Sequence, residues 1–170
     1  AFVKGVQSAG VTAVTKHFPG FNDLEHDPAL VDVSLHTPLD RLLHNALPFK
    51  AAIAAGTRAV MTGPAPVAAI DQENAASTSP AVMTMLRDAF GFKGLIVSDD
   101  LDAPATMRGR SLLETAISAV NAGADLLLVG GGLHLEALCD GIAAAARSGR
   151  IPPDRLAEAA MRVRRNAVGL

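Results

Sequence analysis

The chain has 170 residues, 49% hydrophobic, 19% charged and 4% aromatic, enough for one domain with a sizeable core and too few for two. With 15 Lys and Arg against 17 Asp and Glu, the net charge is −2, without the basic surplus that drives nucleic-acid binding. A single cysteine, Cys139, excludes an internal disulfide framework and a Cys-based structural zinc site, and no apolar run approaches the ~18–20 residues that span a bilayer.

In chain order, the first segment (Ala1-Phe2-Val3-Lys4-Gly5) has no Met and no signal-peptide layout, and reads as a chain entered partway through. A phrase then recurs. Ser8-Ala9-Gly10-Val11-Thr12-Ala13-Val14 is echoed by Ala54-Ala55-Gly56-Thr57-Arg58-Ala59-Val60, by the weaker Gly91-Phe92-Lys93-Gly94-Leu95-Ile96-Val97, and by Asn121-Ala122-Gly123-Ala124-Asp125-Leu126-Leu127-Leu128-Val129. Each copy puts Gly where a helix would end, since Gly takes the left-handed cap without a Cβ clash. The apolar run behind each Gly lacks polar alternation, as expected of a strand buried on both faces of a parallel sheet.

Helical spacing fills the gaps over roughly 39–55, 80–90, 110–122 and 134–148, with start signals at Thr37-Pro38 and Ser79-Pro80. Pro152 to Val168 reads as a closing helix with Arg162, Arg164 and Arg165 towards its C-terminal end. The order predicts an α/β fold of four parallel βα units, about half of a (β/α)8 TIM barrel. Half a barrel leaves two sheet edges unpaired, so either the natural polypeptide carries the missing half or two copies pair.

In such folds the chemistry collects beyond the C-terminal ends of the strands. Those places read Lys16-His17-Phe18-Pro19-Gly20, Met61-Thr62-Gly63-Pro64, Ser98-Asp99-Asp100 and Gly130-Gly131-Gly132. Lys with His can hold sugar hydroxyls, a carboxylate or a phosphate. An Asp at a barrel mouth can act as nucleophile, base or metal ligand. The plainer alternatives are a solvated strand end for Lys16-His17 and a helix N-cap for Asp99-Asp100.

These residues carry a family resemblance. Lys16-His17-Phe18-Pro19-Gly20 resembles the KHFPG signature of family 3 glycoside hydrolases, in their bacterial β-N-acetylhexosaminidase branch. The stretch Arg87 to Asp100 is similar to that family's LR-x-x-x-GF-x-G-x-x-x-[ST]-D segment. Leu47 to Gly56, Ala122-Gly123-Ala124-Asp125 and the helix from Arg155 to Leu170 match further family segments in order. The resemblance covers essentially all of residues 1–170 and implies a partial catalytic domain, without the N-terminal half of the barrel.

For mechanism the resemblance implies a retaining exo-glycosidase in which Asp99 attacks the anomeric carbon and Lys16 and His17 bind sugar hydroxyls. It implies a small carbohydrate substrate, with no metal and no organic cofactor. The acid/base is where the chain departs. The branch carries H-G-D-T-x-x-D-S-H after KHFPG, and its His, paired with the Asp two residues earlier, moves the proton. Here the stretch reads Phe21-Asn22-Asp23-Leu24-Glu25-His26-Asp27-Pro28-Ala29: Asp27 keeps the Asp, but Ala29 stands in the place of His. His26 beside Asp27 is the first candidate to replace it and Glu25 the second; if neither does, the chain binds sugar without turnover. Pro64 stands where many relatives have His. Asp100 and Asp102 are expected to cap or brace their loop.

A third reading, a phosphate-binding barrel lyase or isomerase, rests on Gly130–Gly132 alone. Cys139 is expected in the core. Solvated or capping roles are expected for His36, His44 and His134, and solvent exposure for Arg108 and Arg110.

Overall fold

The computed structural model describes residues 1–167. In chain order these form α1 (Phe2–Ser8), β1 (Val14–Phe18), α2 (Leu39–Asn45), α3 (Leu47–Ala54), β2 (Ala59–Thr62), β3 (Pro66–Val67) and β4 (Asp71–Ala75). Then come α4 (Pro80–Thr84), β5 (Leu95–Asp100), α5 (Pro104–Met107), α6 (Leu112–Ala122), β6 (Leu126–Leu128), α7 (Leu135–Arg147) and α8 (Pro153–Ala167). The main sheet has the order β1-β2-β5-β6 with every pair parallel. Four parallel strands with crossover helices are the partial barrel that the glycine-to-apolar phrases predict. Gly10, Gly56, Gly91 and Gly123 all have positive φ, so each phrase opens on the left-handed turn that releases the chain from a helix into a strand.

The helices follow the predicted segments, with local differences that have visible causes. The segment 39–55 is two helices, α2 and α3, parted at Ala46. Pro48 sits in the first turn of α3, where its missing N–H costs nothing; deeper in one long helix it would break the ladder. After α4 the chain widens into one π-helical turn, Met85–Ala89. Ser79 caps α4 by accepting from Val82 N at 3.2 Å. Thr37, the other expected cap, does not cap α2, because its hydroxyl is taken by Asp23 Oδ2 at 3.0 Å.

Two layers of packing set the core. On one face of the sheet Phe18, Val60 and Ile96 pack with Phe49, Val82, Met83, Leu86, Ala119 and Leu138 from the helices. On the other face Ala59, Leu95 and Val97 pack with Met61 and with Val163 of α8. The register places Val14 beside Ala59 and Leu126 beside Val97, so Val14, Leu126 and Leu128 share this second face. Val14, Leu126 and Leu128 lie on the two edge strands and are 44%, 43% and 43% exposed. Cys139 is exposed, contrary to expectation: α7 turns Leu138 and Ala145 inward, and Cys139 lies off that stripe.

At the N-terminal end of β6 the buried Asp125 ties the closing helix to the sheet. Its Oδ1 accepts from Arg155 Nη2 at 2.5 Å and Arg162 Nη1 at 3.2 Å; its Oδ2 accepts from Arg87 Nη2 at 2.7 Å and Ile96 N at 3.0 Å. Glu158, paired with Arg155 and Arg162 and held below the usual carboxylate range by their hydrogen bonds, completes the network.

Candidate active site

The candidate residues stand at the C-terminal ends of the strands. Asp99 is the fifth residue of β5, and two backbone contacts anchor it. Its own N–H donates to Ser77 Oγ at 2.8 Å, and its Oδ1 accepts from Asp100 N at 2.8 Å. Ser77 is fully buried and donates in turn to Gly63 O at 2.9 Å, so one hydroxyl ties the end of β2 to Asp99. Ser98, pointing the other way, accepts from Leu128 N at 2.9 Å and sets β6 beside β5.

The second oxygen of Asp99, Oδ2, is buried and without a hydrogen-bond partner, and lies 3.4 Å from His17 Nε2. Burial, followed by the charge of Lys16, lowers the His17 pKa against the opposing pull of Asp99, which favours the neutral imidazole at neutral pH. A neutral His17 can donate one hydrogen bond and accept another, which suits a sugar hydroxyl. The peptide bonds Lys16–His17 and Phe18–Pro19 are both cis.

A cavity of about 540 Å³ opens over Asp99. His17, Asp99 and Asp100 line it from the strand ends, Pro64 and Ala103 from their loops, and the segment Phe21, Leu24–Ala29 from above. That segment is pinned at several points. Phe21 lies where a side chain on Gly63 would be, 1.9 Å from an ideal Cβ there, so only glycine admits it. Asp23 accepts from Thr37 Oγ1 at 3.0 Å and from Arg41 Nη2 at 2.9 Å. Asp27 Oδ1 accepts from Ala29 N at 2.9 Å, a local turn that keeps His26 and Asp27 at the cavity wall. Leu35 pairs with β3 through Leu35 N to Pro66 O at 2.8 Å, so the loop after β1 is stitched to the β3–β4 hairpin.

The expected residues mostly converge: His17, Glu25, His26, Asp27, Ala29, Asp99 and Asp100 border one cavity. Lys16 does not line it. It is exposed on the open face of β1, and among the described residues it makes no ion pair. Arg110 is also no solvent-facing side chain; it donates to Thr78 Oγ1, Thr106 O and Asn74 Oδ1 and braces the hairpin. Ser77 and the hairpin were missed, because a two-residue strand and a serine within Ala-Ala-Ser-Thr-Ser-Pro have no periodicity to read.

Asp100 and Asp102 brace the loop as expected. Asp102 Oδ1 accepts from Gly130 N at 3.1 Å, and an ideal Cβ on Gly130 would lie 2.9 Å from Asp100 Oδ2 and 3.2 Å from Asp102 Oδ1. Two carboxylates at Gly130 would repel a phosphate, which removes the support for a phosphate-binding glycine run. A larger cavity, about 730 Å³, adjoins the first at Glu25, but four of its charged side chains are taken up in the pairs Arg41–Asp23 at 2.9 Å and Arg108–Asp32 at 2.7 Å. It lies off the strand ends, so the smaller cavity is the candidate site. Among the described residues no group of three or more His, Cys, Asp or Glu side chains is placed to hold a metal ion, and no helix is long and apolar enough to cross a membrane.

Comparison with known proteins agrees with this fold. The family model described as "Glycosyl hydrolase family 3 N terminal domain" matches residues 1–166. A β-hexosaminidase of Xanthomonas campestris pv. campestris (strain B100) is 32% identical over 147 residues, 86% of this chain and 44% of that protein. The chain thus spans less than half the length of the curated relatives it matches. Among solved structures, a family 3 β-N-acetylglucosaminidase from Paenibacillus sp. str. FPU-7 superposes with a TM-score of 0.91 at 35% identity, over 99% of this chain and 34% of that one. The β-N-acetylhexosaminidase of Beutenbergia cavernae DSM 12333 gives 0.84 at 30% identity, over 98% and 49%.

Proposed function

Because the chain belongs to glycoside hydrolase family 3, we propose that it carries the nucleophile end of a retaining glycosidase acting on terminal β-linked N-acetylglucosamine. The observation that carries the reading is Asp99: it is held at a strand end by Ser77 and Asp100 N, one oxygen lacks a hydrogen-bond partner, and the loop bearing His26 and Asp27 lies across the same cavity. In this reading the Asp99 carboxylate attacks the anomeric carbon, the bond to the leaving-group oxygen breaks, and a glycosyl ester forms on Asp99. His26, next to Asp27 at the cavity wall, gives its proton to the departing oxygen. It then takes one from the water that opens the ester, which regenerates both residues. His17 holds a sugar hydroxyl from the cavity wall, and Lys16, next to it on β1, holds another from outside that wall.

Ala29 favours a second reading, a sugar-binding protein without turnover, because Ala cannot move a proton where the relatives' motif has His. The substrate 4-methylumbelliferyl N-acetyl-β-glucosaminide separates the two, since its leaving group departs without protonation. Fluorescence release that disappears in Asp99→Asn supports the glycosidase. Saturable sugar binding without release supports the binding protein and overturns the enzyme reading.

The same reading makes residues 1–170 a partial catalytic domain whose sheet is completed by further strands, from the rest of the polypeptide or from a second copy. Its support is the apolar face that Val14, Leu126 and Leu128 leave open on the edge strands. A chain of residues 1–170 that is monomeric, binds no hydrophobic dye and is fully active would contradict it.

A further inference from the structure

The mechanism above leaves one buried group unused. Asp100 Oδ1 is buried and has no hydrogen-bond donor, although its neighbour Asp99 is the proposed nucleophile. The Asp100 and Asp102 carboxyls crowd one point: an ideal Cβ on Gly130 would lie 2.9 Å from Asp100 Oδ2 and 3.2 and 3.3 Å from the two oxygens of Asp102. Two carboxyl groups held that close favour a single shared proton. Gly130 N–H donates to Asp102 Oδ1, which favours the charge on Asp102 and the proton on Asp100. Both side chains also converge on Gly130, so the pair joins the end of β5 to the residue pair that follows β6.

We infer that Asp100 is a positioning residue, whose single proton, shared with Asp102, clamps the ends of β5 and β6 together and thereby holds the Asp99 carboxylate in place. The link to Asp99 is the Asp100 N–H that donates to Asp99 Oδ1 at 2.8 Å. When the proton leaves, Asp100 and Asp102 repel, the clamp opens, and a second negative charge appears beside Asp99. The groups that face Asp100 fit this account. Asp102, burial and Asp99 push its pKa up to about 6, and the Gly130 N–H opposes them. The hydrogen bond from Asp100 lowers the pKa of Asp102, as do the Gly130 N–H and the charge of His134 beyond it, while burial opposes. His26, Glu25 and His17 border the same cavity from the other elements.

The catalytic consequence rests on the glycosidase reading, but the pair itself can be tested without turnover. Carbon-detected NMR of the side-chain carboxyls is followed between pH 3 and 9 in the 170-residue chain, in Asp100→Asn and in Asp102→Asn. We expect the Asp100 carboxyl to titrate near pH 6, with a matching step in the Asp99 signal. Asp100→Asn, whose amide still donates to Asp102, removes that step from Asp99. In Asp102→Asn the Asp100 midpoint falls by about one pH unit or more. On the activated glucosaminide, the wild-type rate drops about tenfold from pH 6 to pH 8. In Asp100→Asn the ratio of the two rates is close to one. An Asp100 midpoint below pH 4.5 overturns the shared proton. An Asp99 step near pH 6 that survives in Asp100→Asn overturns the positioning role. An absence of turnover in the 170-residue wild type is what a partial domain gives, and the NMR result then decides this inference.

Discussion

Two aspartates at neighbouring strands of the same sheet, Asp125 buried and Asp99 partly so, have opposite fates. Asp125, at the N-terminal end of β6, has both oxygens saturated by Arg87, Arg155, Arg162 and the backbone of Ile96. Asp99, at the C-terminal end of β5, has one oxygen saturated and the other left without a hydrogen-bond partner, and Asp100 beside it repeats the pattern. A buried carboxylate left unsatisfied costs stability. The fold keeps that cost at the end where chemistry would occur and removes it at the end where the closing helix must be held.

That contrast can be broken from either side. The largest expected effect is on Asp99: Asp99→Asn lowers turnover of an activated glucosaminide by roughly a thousandfold or more, with thermal stability barely changed. His26→Ala comes next. On an unactivated disaccharide it costs about 10²–10⁴-fold, and on the 4-methylumbelliferyl substrate much less in the glycosylation step; equal losses on both would remove His26 as the acid.

Asp125→Ala inverts the pattern, since it leaves Arg87, Arg155 and Arg162 facing one another without their shared anion. Urea denaturation should show a loss of about 3–5 kcal/mol. Gly63→Ala is milder in chemistry but direct in geometry. Its methyl would displace the Phe21 ring and lift the loop from the cavity, at about 1–3 kcal/mol, with a raised KM as the diagnostic readout.

The smallest effect sharpens the comparison through pH. Asp100 has a folded-state pKa of about 6, above the ordinary aspartate value, so its stabilising contribution is complete below about pH 4 and is lost as pH rises through 6. Asp100→Asn, which cannot ionise, should therefore melt a few degrees higher than wild type at pH 8, and the advantage should vanish near pH 4.

Much of this was legible in the sequence, and the reasons for the misses are physical. The four strands were readable because each is a short apolar run released by a glycine at positive φ, and Gly10, Gly56, Gly91 and Gly123 all have that backbone. The convergence of His17 and Asp99 followed from the rule that strand ends share one rim, whereas His26 and Asp27 were legible only through the family resemblance of the loop that carries them. Residue type alone does not tell which neighbour at a strand end lines a cavity: His17 does, and the exposed Lys16 beside it does not. Thr37 misled because the capping hydroxyl had a competing partner in Asp23, fourteen residues away, which no local pattern reveals. Asp125 was visible only as part of a family segment. Its role needs three arginines from two distant helical segments, a contact made by the fold and not by spacing.

The measurement that tests the central claim most directly is a covalent trap. Incubating the chain with a 5-fluoro derivative of N-acetylglucosaminyl fluoride slows the second step of a retaining reaction relative to the first, because the fluorine destabilises the cationic transition state while fluoride leaves readily. Intact-mass analysis should show one added sugar residue, and peptide mapping should place it on the carboxylate of Asp99. A sugar carried on any other residue would contradict the assignment of Asp99. A folded chain that binds the reagent and gains no mass would contradict the glycosidase itself.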